Sequence, residues 1–196
     1  MARGDPVEFV REDLPSQGIR CWNRVQLEDE DGNPIEGANP LPVAGTVGVD
    51  VLTIVQTPTI TAGAYAANDA LGGLLTFANA ARVAGGKCTI RSIVVKDLAS
   101  QDGEIDLVFF DRMFGATADN APFDPSDADL ANVVGHVKMR VSDYIDFVDN
   151  SIATRDNLGL SISLLGTSLF AQAVIRGIET YASTSDITIK LVVERH

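Results

Sequence analysis

Between Asn157 and Val193 apolar and polar residues alternate with a period of two, which is the repeat of a β-strand and not of a helix. In its last segment Ile187, Ile189, Leu191 and Val193 fall on one side, with Thr188, Lys190 and Glu194 on the other. Upstream, Leu169, Ala171, Ala173 and Ile175 alternate with Phe170, Gln172, Val174 and Arg176. Turn formers and small polar residues fill Gly177 to Asp186 between the two runs. The spacing predicts a half-buried strand, a loop and a returning strand.

Similar runs recur along the chain. Cys88 to Leu98 reads as a strand with Ile90 and Val94 on one face and Ile93 and Val95 on the other. Both faces are apolar, so it is expected at the centre of a sheet. After a turn at Ser100 to Gly103, Ile105, Leu107 and Phe109 alternate with Asp106, Val108 and Phe110, as a hairpin partner would. Val137, Met139 and Val141 alternate with His136, Lys138 and Arg140. Thr59 to Arg82 is ambiguous, because Leu71, Leu74, Leu75 and Phe77 suit a helix while Gly72-Gly73 opposes one; strands around an Asn68-Asp69 turn are expected. Residues 112 to 132 form a long polar excursion, in which Ser126 and Asp129 have the spacing of a helix cap. Tyr144 to Asn150 and Ile152 to Asn157 read as turns. Short links and few helical runs imply an all-β, antiparallel β-sandwich or jelly roll over residues 58–196.

Residues 1–57 differ. Six of the eight prolines lie at or before Pro58, and proline breaks ladders and helices alike. A short hairpin is expected around Asp31-Gly32-Asn33, followed by an extended path through Asn39 to Val43. The segment reads as an extended N-terminal arm. Its apolar residues, Leu41, Val43, Val47, Val49 and the run Val51 to Val55, need a surface to cover, on a neighbouring subunit or on the chain's own body. Phe9, Trp22, Leu41 and Val43 are its candidate partner-binding residues.

A formal net charge of −12 argues against a nucleic-acid partner, since duplex binding rests on Lys and Arg displacing counterions. No run approaches the roughly 18 apolar residues of a membrane span, and the first residues lack the apolar core of a secretion signal. Cys21 and Cys88 have no metal or redox spacing and are expected as reduced thiols. His136 and His196 lack any local motif for acid–base or nucleophilic catalysis, so no catalytic residue and no cofactor is expected. Asp119, Asp124, Asp127 and Asp129 do not match a calcium loop and read as a solvated loop with a helix cap, so no metal is assigned.

Three segments, PTITAGAYAANDALGGLLTFANAAR, CTIRSIVVKDLASQDGEIDLVFFD and DNLGLSISLLGTSLFAQAVIRGIETYASTSDITIKLVVER, resemble a family of small virion proteins of tailed bacteriophages. Upstream, DEDGNPIEGANPLPV resembles a connector at the start of several phage structural proteins. The resemblance implies a non-enzymatic capsid cement or decoration subunit on the exterior of the virion, made in the host cytoplasm. Its implied partners are the major capsid protein and copies of itself, as a trimer. A tail or baseplate component, or a receptor- or glycan-binding module presenting the loop from Arg112 to Asn132, is the alternative.

Overall fold

A computed structural model describes residues 50–196. Ten strands form its framework: β1 (Asp50–Gln56), β2 (Ala70–Phe77), β3 (Lys87–Asp97), β4 (Ile105–Phe110), β5 (Val133–Met139), β6 (Tyr144–Asp146), β7 (Ser151–Arg155), β8 (Leu160–Ser163), β9 (Leu169–Ile175) and β10 (Ile187–Arg195). One helical turn, α1 (Asp127–Leu130), is capped by the Ser126 hydroxyl, which accepts from the Asp129 N–H as its spacing predicts.

All pairings are antiparallel and form two sheets, in the orders β1-β10-β3-β7-β6 and β2-β9-β4-β5. Strands β7 and β8 lie end to end along β3, opposite Ile93 to Asp97 and Lys87 to Ile90 respectively. Counted as one interrupted strand they complete a set of eight: first beside last, second beside seventh, third beside sixth, fourth beside fifth. That order is a jelly roll, with β6 added at one edge. Leu191, Ile189, Ile93 and Val95 from one sheet and Phe77, Leu107, Phe109 and Ala171 from the other fill the space between, each fully buried.

Strand β10 forms as its alternation predicts, with Ile187, Ile189, Leu191 and Val193 all buried. Its partners differ from the expectation. β9 and β10 belong to different sheets, so residues 177–186 cross between the layers instead of turning a hairpin. The same holds for β3 and β4. There the fully buried Asp97 carboxylate accepts the N–H groups of Ala99, Gln101 and Asp102, which holds the crossing. Alternation fixes which side of a strand is buried, but both layers of a sandwich offer the same kind of side.

Strand β3 carries a second correction. Its register against β10 shifts so that Val192 faces Ser92 and Val193 faces Ile90, leaving Arg91 as an extra residue. This bulge reverses the phase, so Cys88, Ile90, Ile93, Val95 and Asp97 all point inward, while Val94 is only half-buried on the outer face. The strand is central, yet it has one apolar face and not two. Around Asn68 (φ 76°) the expected turn is present, but only its downstream side makes a strand, interrupted at Gly72 (φ 73°) by a further irregularity. A side chain at Gly72 would strike Pro58, its Cβ falling 2.5 Å from that ring. Tyr144 to Asp146 and Ser151 to Arg155 form β6 and β7 where turns were expected. Val51 to Val55 belong to β1, paired along β10 and tied at one end by Asp50 to Arg195 and Arg82, so the sandwich takes in the last stretch assigned to the arm.

Candidate partner-binding surface

Phe9, Trp22, Leu41 and Val43 lie outside the described residues, as does Cys21. Cys88 is buried in the core, and burial pushes its thiol up to about 11. Among the described residues no group of three or more His, Cys, Asp or Glu is arranged to hold a metal ion. His136 is exposed on β5 opposite Val108. His196 does have a polar neighbour: its Nε2 lies 2.9 Å from the Thr89 hydroxyl, itself 2.8 Å from that of Ser161. No carboxylate joins this row of three among the described hydrogen bonds, so it lacks the orienting third group of a nucleophilic site. Nothing local in the sequence pointed to it, since the three residues come together only through the pairing of β8 and β10 with β3.

The outer faces of the two sheets are treated very differently. That of the four-stranded sheet is covered over β2 and β9 by the loop from Asp111 to Ser126, while His136 on β5 stays exposed. Gln172, on β9, is fully buried beneath it; its amide donates to the carbonyls of Thr117 and Gly72, and its oxygen accepts the Thr117 N–H. Phe114 stacks on Phe110 with ring centroids 3.7 Å apart. Backbone bonds from Ala70 to Ala121, Asn120 to Ala70 and Phe123 to Asn68 stitch the loop to the start of β2. Asp119 is the central knot: one oxygen accepts the Tyr65 hydroxyl at 2.7 Å and the Gly72 N–H at 2.5 Å, the other the Thr61 hydroxyl at 2.7 Å. The acidic residue considered for a cation is thus an acceptor for three protein donors. Burial, and then the neighbouring carboxylate, push the Tyr65 phenol well above its ordinary value.

The outer face of the larger sheet has no such cover among the described residues. Register places Val55, Lys190, Val94 and Thr154 in one row across it, and Thr188, Lys96, Ile152 and Ile145 in the next. Thr53, Val192 and Ser92 form a third. Val51, Val55 and Ile145 are 53%, 49% and 67% exposed, and Val94, Val192 and Ile152 are half-buried. Its β-branched side chains lose little entropy on being covered. Its charges are Lys96, Lys190 and Glu194, the last paired with Arg91. A protein of net charge −12 therefore presents two ammonium groups in the middle of its bare face.

Beyond the edge of that face the connection from β6 to β7 projects as a tip. Phe147 is 54% and Val148 95% exposed, with Asp146 before and Asp149 after them. The nearby Asp102 carboxyl, more than burial, pushes Asp146 above the ordinary carboxylate range.

A further set of acids closes the same end of the sandwich. Glu179 tucks against Gly103, where a Cβ would come within 3.0 Å of its side chain, and its Oε2 is buried without a hydrogen-bond partner among the described residues. Burial first, then the charges of Asp97 and Glu104, raise the Glu179 carboxyl above its ordinary value. Asp97 is likewise raised, chiefly by burial. A carboxyl with a raised folded-state pKa takes up its proton more readily in the folded chain than in the unfolded one. Stability from these groups is gained as pH falls through the raised value and lost as pH rises above it. Glu179→Gln is expected to raise the melting temperature at pH 7 by a few degrees, on the order of 1 kcal/mol at most for so solvent-screened a group. It should also flatten the gain seen between pH 7 and about pH 5. Thermal melts at the two pH values check this.

No protein-family model matches the chain, and no curated protein matches it either.

Proposed function

We propose that this protein is a structural component of a tailed-bacteriophage virion, a cement or decoration subunit that binds the assembled major capsid protein lattice on its outer surface and acts by contact, not by turnover. The observation that carries the contact reading is the asymmetry of the sandwich: one outer face largely covered by its own loop, the other β-branched and without such a cover among the described residues. The virion context rests on the resemblance of the three β-rich segments to phage virion proteins, since a jelly roll by itself hosts many functions. A subunit that binds the assembled lattice and not free capsid protein draws the equilibrium toward the shell. Many copies, or several linked in one oligomer, make weak contacts count. Self-association as a trimer fits that mechanism.

The alternative of a receptor-binding module needs the loop from Arg112 to Asn132 to be offered to a host. Instead Phe114 is packed inward and Asp119 and Gln172 fasten the loop down, which favours the lattice reading.

Co-sedimentation with purified capsid shells tests the proposal. The full chain is expected to pellet with shells at a fixed number of copies and to raise the temperature at which they break. Removal of residues 1–49 is expected to abolish pelleting while leaving a cooperative melt, because the cut spares β1. A full chain that stays in the supernatant, or a truncated one that decorates shells normally, would contradict the lattice reading or the role of the arm respectively.

A further inference from the structure

We propose that copies of this protein associate head to tail, the β6–β7 tip of one seating Phe147 and Val148 on the bare sheet face of the next, with Asp146 and Asp149 set against Lys96 and Lys190. The inference deepens the self-association that the lattice reading includes, and rests on that part of it.

Two patches of opposite charge sit on one chain, and each has a large exposed apolar component. On the face, Lys96 and Lys190 form no ion pair among the described residues, although 27 acidic residues serve the chain as a whole. Both stand in rows of β-branched neighbours, Lys190 between Val55 and Val94 and Lys96 between Thr188 and Ile152. At the tip, Asp146 and Asp149 are likewise without an ion pair among the described residues. Asp143, the third acid of the tip region, is already used, accepting from the Arg140 N–H and facing Arg155.

The pairing rule follows from charge. Face on face sets ammonium against ammonium, and tip on tip sets carboxylate against carboxylate; tip on face alone brings opposite charges together while covering Phe147 and Val148. Because the two patches differ, the contact is heterologous and repeats in one direction, so that it closes into a ring where the rotation permits. Val148, 95% exposed, has no cover among the described residues. At the tip the aromatic and aliphatic groups lie at the centre with an acid on either side, an arrangement found in protein–protein contacts.

Sedimentation equilibrium of the full chain over a concentration series tests this. The wild-type protein is expected to run as an oligomer. Lys96→Glu with Lys190→Glu, and separately Asp146→Lys with Asp149→Lys, should each weaken self-association by roughly tenfold or more. The chain carrying all four changes, in which the charges are exchanged, should recover it. Val148→Arg, at a position too exposed to disturb folding, should also weaken it. A monomeric wild type, double variants that assemble normally, or a folded fourfold variant that stays monomeric would each overturn the proposal. Shell binding by the same proteins separates this inference from the lattice reading: a wild type that decorates shells as a monomer sinks the head-to-tail contact alone, and an oligomer indifferent to shells sinks the lattice reading alone.

Discussion

Leu191→Ala is expected to cost about 3–5 kcal/mol and to lower the melting temperature by on the order of 10 °C. Leu191 is fully buried on β10, between Ile54 of β1 and Ile93 of β3, with the second sheet packed over it. Ladders on both sides hold the β10 backbone, so the walls of the new cavity have little freedom to collapse. Val192→Ala, one residue along, is the control. It points to the outer face, is half-buried, and should cost less than about 1 kcal/mol. Denaturant titration of both variants checks the pair. Equal losses at the two positions would mean that the outer face is already covered in solution, which bears directly on the partner-binding surface.

Asp119→Ala is expected to cost about 3 kcal/mol and, more tellingly, to uncover part of one outer face of the sandwich. It removes the acceptor for the Tyr65 hydroxyl, the Gly72 N–H and the Thr61 hydroxyl at once. Hydrogen bonds to a charged acceptor contribute roughly 1.5–3 kcal/mol each when lost singly, and water recovers part of the sum. The loop from Asp111 to Ser126 should then show fast amide exchange at Thr117 and Asn120, while β4 and β9 stay protected. Asp119→Asn keeps one oxygen and is expected to lose about half as much. Exchange unchanged in the alanine variant would place the loop's attachment on Gln172 instead.

Much of the sandwich is legible in the sequence because a strand with one buried side declares itself: β10, β9, β4 and β5 all sit where alternation puts them. Their partners are not legible. Inward-facing Ile187 and inward-facing Leu169 carry the same signal although they line opposite layers, and only the closed three-dimensional order distinguishes them. The bulge at Arg91 is hidden for a related reason: an inserted residue swaps the phase, and two half-strands with one buried side imitate a single strand with two. Gln172 reads as an outward polar residue and is one, but the loop folded over it makes it part of a second, smaller interior. Strands β6 and β7 escape notice because their sheet edge is open, so Ile145 and Ile152 face outward and blur the pattern. The bare face itself becomes visible only once register aligns Val55, Lys190 and Val94 from three separate strands.

The nesting of first strand beside last has a bearing on how the molecule is made. β10 is both the floor for β1 and the neighbour of β3, so neither of those early strands finds its main partner until residues near 190 have been synthesised. Only the β6–β7 and β4–β5 pairs join strands that follow one another in the chain, and these are the natural first contacts. Everything else must wait on distant chain, which implies slow, post-translational folding and an interval in which unpaired strands are exposed to aggregation in the producing cell.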